Sequence, residues 1–388
     1  MSLFGTDGIR GLANVDLTAE LALDVAVAAA HILVENSNDR PRAIVGQDSR
    51  ASGEFLEAAV VAGLTSAGVD VYRVGIVPTP AVAYLVASTG ADLGVMISAS
   101  HNPMPDNGIK LFQRGGEKLA DEVEALVEAR IGEPWQRPTG AAVGRVINDD
   151  QLVNNYIEHL LSTIDVSLKG LKVVVDCANG ASSFTAPIAL SRAGAEVIAI
   201  ANTPDGWNIN DGVGSTHLDF LRNAVLKNGA DVGIAHDGDA DRCLAIDATG
   251  AEIDGDVIMA ILAKGFKAQG KLTANTIVGT VMSNLGFMHA MAESGIAVVT
   301  TAVGDRYVLE AMLQSDFNLG GEQSGHVIMR DHANTGDGLL TALQLLAEVK
   351  RSGQTLQELS RVMVRFPQVL INVKNVAKER LASSTAIA

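Results

Sequence analysis

The sequence predicts three tandem α/β domains with mixed, mostly parallel sheets around a shared cleft. Two observations carry that expectation. First, a helix ending in a small residue and glycine, followed by a β-branched run, occurs three times: Ser66-Ala67-Gly68 before residues 69–74, Arg192-Ala193-Gly194 before 195–200, and Glu293-Ser294-Gly295 before 296–301. Second, each copy leads through a further helix to a short apolar strand that opens into a polar, often glycine-rich loop. Glycine after the last turn takes the left-handed conformation that closes a helix. Alternating strands and helices give largely parallel sheets. Ligand groups collect at the carboxyl ends of such strands, and all three loops fall there.

The elements follow in order. Residues 21–34 form an apolar stretch broken by Asp24 and His31, too short to span a bilayer. It reads as a core-facing helix started by Thr18. Gln47-Asp48-Ser49-Arg50-Ala51-Ser52-Gly53 reads as a helix N-terminus with Ser52 as its cap. The run 296–301 is apolar enough to be buried on both faces, whereas the first two runs keep charges and lie nearer a sheet edge. The expected domains are residues 1–150, 151–250 and 251–366; the remainder, 367–388, is too short for another.

Composition narrows the function. The chain has 388 residues, 47% of them hydrophobic but only 4% aromatic, so its cores are built from Val, Ile, Leu and Ala. A formal net charge of −16 with no run of Lys or Arg argues against nucleic acid and anionic membrane as partners. A phosphate would have to be held by placed Arg or Lys, a metal, or backbone N–H groups. Cys177 and Cys243 lie in or beside apolar strand-like runs and read as free thiols of a reducing compartment. Residues 1–11 carry no apolar signal core. A soluble, cytoplasmic protein is expected.

The chemistry lies in the loops. Asp237-Gly-Asp239-Ala-Asp241 sets three carboxylates at alternate positions, a hard-oxygen set suited to Mg2+ or Ca2+. An EF-hand is excluded, since Arg242 stands where its sixth-position glycine belongs and Ala248 where its final glutamate belongs. Without an ion, three carboxylates so close raise one another's pKa; the bland alternative is a solvated acidic turn. Arg242 beside the cluster points to a nearby anion. Ser98-Ala-Ser100-His101-Asn102-Pro103 fits capping and turn chemistry as well as a reactive serine. No Gly-x-Ser-x-Gly elbow surrounds either serine. Gly320-Gly-Glu322-Gln-Ser324-Gly-His326 offers a carboxylate, a hydroxyl and an imidazole suited to adjacent sugar hydroxyls, or is a plain glycine turn. Phe4-Gly-Thr6-Asp7-Gly8-Ile9-Arg10-Gly11 is a glycine-rich loop with one arginine for a phosphate.

Taken together, and in this order along the chain, these loops resemble the phosphohexomutase superfamily. The resemblance is nearest to its bacterial members that act on phosphoglucosamine. Asn208-Ile209-Asn210, Gly214-Ser215-Thr216-His217, residues 280–286 and residues 303–307 extend it over residues 4 to about 373. It implies that Ser100 is a phosphoserine whose phosphate adds a ligand to one Mg2+ on Asp237, Asp239 and Asp241. The implied reaction interconverts glucosamine 6-phosphate and glucosamine 1-phosphate through a 1,6-bisphosphate, on the way to UDP-N-acetylglucosamine and peptidoglycan. Lys110 and His326 are the implied general acid and base, with His101 beside the serine. Arg10 and Arg242 would steady the phosphoserine; Glu322 and Ser324 would hold sugar hydroxyls, with Gly304 and Asp305 also at the substrate. A homodimer is implied as well.

Two departures qualify the resemblance. Ala302 stands where some members carry a lysine. No Arg-x-Ser-Gly-Thr-Glu-Pro-type loop of a fourth domain follows residues 367–374, which resemble the link into it. The expectation is a chain that binds Mg2+ and carries phosphate on Ser100 but turns over poorly alone. The competing readings are a phosphomannomutase or phosphoglucomutase, a phosphosugar-binding module without turnover, and a metal-dependent phosphatase.

Overall fold

Each of the three α/β units is a sheet with a parallel centre and an antiparallel edge, as a computed structural model describes them for residues 3–5, 7–34 and 40–369. Thr6 and the chain from residue 370, with most of the expected link, lie outside the described residues.

The first unit runs β1 (Ile9–Leu12), α1 (Ala19–Leu33), β2 (Arg42–Gln47), α2 (Ser52–Ser66), β3 (Asp70–Ile76), α3 (Thr79–Thr89), β4 (Leu93–Ile97), β5 (Asp106–Gln113), α4 (Asp121–Arg130) and β6 (Val146–Asn148). Its strands lie in the order β1-β5-β4-β2-β3-β6, with only β5 and β1 antiparallel to their neighbours across the β4–β5 and β1–β5 pairs. Thr18 caps α1 as expected, its hydroxyl accepting the Leu21 N–H. Ser52 does not cap α2. Ala51 already has helical dihedrals, so Ser52 sits inside the first turn, and its hydroxyl accepts from the Asn107 amide instead.

The second unit comprises α5 (Val153–Ser162), β7 (Lys172–Asp176), α6 (Thr185–Arg192), β8 (Glu196–Ile200), α7 (Asp219–Asn228), β9 (Val232–Ala235), β10 (Leu244–Asp247) and β11 (Glu252–Ile253), ordered β11-β10-β9-β7-β8. The third comprises α8 (Gly255–Ala268), β12 (Thr276–Thr280), α9 (Leu285–Glu293), β13 (Ala297–Thr301), α10 (Asp305–Ser315), β14 (Leu319–Gly321), β15 (Val327–Met329), α11 (Gly338–Ser352) and α12 (Leu356–Leu359), ordered β13-β12-β14-β15. The expected double burial of 296–301 is wrong. β13 is an edge strand paired only with β12, and Ala297 and Thr300 are exposed. An apolar run reports half-burial against one helix layer as readily as full burial, because Val and Thr suit either.

Both faces of each sheet are covered. In the first unit, α1, α2 and α4 cover one face through Val45, Leu93 and Val95. Ile44, Met96 and Phe112 on the other face join α3 to a core that continues through the second and third units. That shared core holds the units together and brings the carboxyl ends of β4, β9 and β14 to one place. Where the loops of the second and third units touch, Cys243 donates to the Gly325 carbonyl at 3.0 Å. Gly325 has a φ of +92°, and a Cβ there would stand 2.4 Å from the Cys243 oxygen, so only glycine fits. Among the described residues, no helix is long and apolar enough to cross a membrane.

Candidate active site

The loop after β4 enters at Ser98 and turns sharply at Ser100, whose φ of +51° is rare for a residue with a Cβ. The turn aims the Ser100 hydroxyl out of the first unit, where it donates to Asp237 Oδ2 at 2.6 Å. His101 Nδ1 lies 3.4 Å from the same hydroxyl. Asp237, Asp239 and Asp241, all buried, place one carboxylate oxygen each within 4.8 Å of one another.

Oδ1 of Asp239 and Oδ1 of Asp241 are buried without a hydrogen-bond partner. Buried carboxylate oxygens are costly unless something cationic faces them. This orphaned set fits a divalent metal held by the three aspartates. Burial, then repulsion from Asp241 and Asp239, pushes the Asp237 carboxyl up to about 8. Burial works the same way on Asp241, but Lys110, His326 and Arg242 outweigh it and hold that carboxyl well below the usual range.

A ring of cations frames the cluster. Lys110 on β5, almost fully buried, reaches Asp239 at 2.8 Å, Asp7 at 2.7 Å and Asp241 at 3.7 Å. Burial opposes its charge, yet these carboxylates raise its pKa. Arg242 Nε approaches Asp237 and Asp241 at 4.0 and 3.9 Å. Arg10 pairs with Asp7, which also binds Lys118 at 2.6 Å. Gly8 lets this amino-terminal loop lie against β5, since a Cβ there would stand 2.4 Å from the Ile109 oxygen. Burial, Arg242 and Arg10 push His101 down to about 4, leaving it neutral.

The third unit supplies the opposite wall. His326 Nδ1 lies 3.6 Å from Asp241 and Nε2 3.5 Å from Asp305. Nε2 accepts the Gly336 N–H at 3.2 Å, so in the neutral ring Nδ1 carries the proton. Burial disfavours the charged ring, but the hydrogen bond to Asp241 and the charges of Asp241 and Asp305 raise its pKa overall. Glu322 Oε1 accepts the Gly304 N–H at 3.0 Å and so ties the loop after β14 to the loop after β13.

These groups face one cleft of about 380 Å3, lined by Arg10, Ser100, His101, Asp241, Arg242, Gly304, Asp305, Glu322 and His326. Lys110, Asp237 and Asp239 are not among its lining residues and lie buried behind that wall. Ser324 does not line the cleft; its Oγ is buried without a partner.

Sequence reasoning passed over several residues. Asp7 and Lys118 knit the amino-terminal loop to the third unit. Thr79, at the start of α3, donates its hydroxyl to Asp239 Oδ2 at 2.5 Å. Asp48 and Arg50, read as part of a helix start, are buried under the Ser100 loop as an ion pair. The signal available for Asp48 and Arg50 was two opposite charges two apart directly after an apolar strand.

The profiles of phosphoglucomutase/phosphomannomutase α/β/α domains I, II and III match residues 1–137, 154–250 and 254–366. The chain belongs to the phosphoglucomutase/phosphomannomutase family. Its relatives in this family include proteins named phosphoglucosamine mutase from Streptomyces griseus and Thermobifida fusca. Each is 62% identical over the whole of this chain, which spans 87% and 86% of their respective lengths. A solved structure of a putative phosphomannomutase from Thermus thermophilus is 26% identical, with a TM-score of 0.82 over 92% of this chain and 82% of that one. The Aspergillus fumigatus N-acetylphosphoglucosamine mutase, solved in complex with GlcNAc-6P and magnesium, is 17% identical with a TM-score of 0.63 over 94% of this chain and 80% of that one, and shows the shared fold.

Proposed function

We propose that this chain interconverts glucosamine 6-phosphate and glucosamine 1-phosphate by phosphoryl transfer through Ser100. The observation that carries the reading is the Ser100 hydroxyl 2.6 Å from Asp237, on a carboxylate cluster whose other members keep orphaned oxygens. The names of the relatives at 62% identity support the sugar.

In the forward direction, the sugar O1 attacks the phosphorus of phosphorylated Ser100. The bond from phosphorus to Oγ breaks, and a 1,6-bisphosphate forms. After the intermediate reorients, Ser100 Oγ takes the phosphoryl group from O6, and glucosamine 1-phosphate leaves. Asp237, Asp239 and Asp241 would hold Mg2+, which when bound neutralises charge on the transferring group. Arg10 and Arg242 face the serine and balance the charge of its phosphate. His326, buried between Asp241 and Asp305 with a raised pKa, is poised to exchange a proton with the attacking or departing hydroxyl. Lys110 is so heavily paired that its role is to hold Asp239, Asp7 and Asp241 together as a fixed positive charge that offsets their repulsion. Glu322 and Gly304 orient sugar hydroxyls from the facing wall.

The bisphosphate serves as activator, the compartment is the cytoplasm, and the assembly is a homodimer. Rates of isomerisation measured side by side on glucosamine, glucose and mannose 6-phosphates test the reading. It expects the highest kcat/KM on glucosamine 6-phosphate. A preference for mannose or glucose phosphate moves the chain to the other branch, and release of free phosphate without isomerised sugar makes it a phosphatase.

A further inference from the structure

Asn208-Ile209-Asn210 is a sequence motif to which the proposed chemistry gives no task. In the structure Asn210 is nearly buried and crosses from the second unit to the first. Its Nδ2 donates to the Ser100 carbonyl at 2.9 Å and to the Asn102 carbonyl at 3.1 Å. From the other side, Arg50 Nη2 donates to the same two carbonyls at 3.1 and 2.6 Å. Asp48, paired with Arg50, accepts the Ser98 hydroxyl at 2.5 Å, and Ser98 Oγ in turn accepts the Ser100 N–H at 2.9 Å. The backbone of Ser100 is thus held at both ends of its residue, by side chains from two units that share two acceptors.

The second unit also fixes the partner of the serine hydroxyl, Asp237. A displacement of either unit therefore moves the Ser100 carbonyl and Asp237 together. Gly238 makes this close approach feasible: a Cβ there would stand 2.6 Å from the Ser100 oxygen and 2.8 Å from Asn210 Nδ2. Asn210 itself sits at a φ of +58°, which asparagine tolerates better than most residues.

We propose that Asn210, working with the Asp48–Arg50 pair, is a positioning residue that clamps the Ser100 turn across the boundary between the first two units and registers its hydroxyl on the metal-binding carboxylates. The inference rests on the phosphoryl-transfer reading above. Asn210 lies outside the cleft lining and its side chain bonds the Ser100 and Asn102 carbonyls rather than an aspartate, so its loss acts on the transfer rate and not on binding. A misplacement of about 1 Å at a reacting atom lowers a rate on the order of 100-fold.

The variants that test it are Asn210→Gly, which keeps the left-handed backbone and deletes the amide, and Asn210→Asp, which keeps the shape and removes the donors. Asn208→Ala is the control in the same loop, since the Asn208 side chain bonds only within that loop, accepting the Asp205 N–H and donating to the Thr203 carbonyl, while its backbone carbonyl accepts from Asn179. Expected for both Asn210 variants is a fall of roughly 10- to 100-fold in kcat and in the rate at which glucosamine 1,6-bisphosphate phosphorylates Ser100, with KM and the Kd for Mg2+ within about twofold of wild type. Asn208→Ala keeps the wild-type rate. Wild-type transfer rates in the Asn210 variants overturn the proposal, as does a parallel loss of rate, Mg2+ affinity and melting temperature in all three. Failure of wild-type Ser100 to accept phosphate refutes the functional reading instead. The clamp is then judged from crystal structures alone: Ser100 Oγ leaves Asp237 in Asn210→Gly if the clamp is real and stays at 2.6 Å if it is not.

Discussion

Lys118 and Asp305 form an ion pair that joins the first α/β unit to the third at the wall of the candidate active site, where Asp305 lines the cleft. Lys118 binds Asp7 at the same time, so a single ammonium group answers two carboxylates from different units. Burial opposes its charge, but Asp305 and Asp7 raise its pKa. Both side chains are largely shielded, at 19% and 15% exposure, and removing one leaves the other with a single charged neighbour, Asp7 for Lys118 or His326 for Asp305. Lys118→Met and Asp305→Asn should each lower stability by about 2–3 kcal/mol. The double variant should lose less than their sum, with a coupling of about 1–3 kcal/mol. Urea denaturation of the four proteins reads this out; strict additivity denies the bridge.

Gly336 leaves room for the His326 ring. A Cβ at position 336 would stand 2.3 Å from Nε2, and the ring is fixed by Asp241 and Asp305. Gly336→Ala should therefore reproduce the kinetic effect of His326→Ala, a fall in kcat of about 100- to 10,000-fold, while leaving Mg2+ binding intact. Steady-state kinetics on both variants checks it.

The carboxylate cluster makes a paired prediction about metal and stability. Mg2+ at a hundred times its Kd should stabilise the wild type by about 2.7 kcal/mol. Asp237→Asn should abolish that gain. In the absence of metal at pH 9 the wild-type Asp237 carboxyl, pushed up to about 8, is ionised among Asp239 and Asp241. The variant avoids that repulsion and should then be the more stable protein, by about 1 kcal/mol. Thermal melts with EDTA and with Mg2+ separate the two effects.

Asp337 predicts a pH dependence. It caps α11, accepts the Tyr156 hydroxyl, and burial raises its carboxyl to about 6. The folded protein holds this proton more tightly than the unfolded chain, whose aspartate titrates near 3.9. The contribution is full below about pH 4 and is lost as pH rises to about 6, so stability falls across that window by about 2 kcal/mol from this group. Asparagine keeps the cap and an acceptor for Tyr156. Between pH 4 and 7, Asp337→Asn should therefore lose about 2 kcal/mol less than wild type in denaturant titrations.

Much of this was legible in the chain. The three loops sit where the strand–loop pattern puts them, because a short apolar strand followed by a polar turn reports a strand's carboxyl end whatever the tertiary context. Asp237, Asp239 and Asp241 declared themselves by spacing. What failed was information about direction and neighbours. Residues 296–301 look the same whether one strand or two lie beside them, so the edge position of β13 was invisible. Asp48, Arg50 and Ser52 read as a helix start because short polar residues next to a strand suit a cap; that Asp48 and Arg50 turn inward beneath Ser100 depends on a loop 50 residues away. Asp7 and Lys118 gain their importance from Asp305, 187 residues beyond Lys118. Ser324 shared a promising motif with Glu322 and His326, yet it lies outside the cleft lining.

Everything proposed for the cleft depends on Ser100 carrying the phosphoryl group. The most direct measurement is intact mass before and after incubation with glucosamine 1,6-bisphosphate and Mg2+, alongside Ser100→Ala. The wild type should gain one phosphate, absent from Ser100→Ala and reversed by adding glucosamine 6-phosphate. A folded wild-type protein that binds Mg2+ but gains no phosphate, or a Ser100→Ala variant that gains it equally, rules out Ser100 as the phosphoryl carrier.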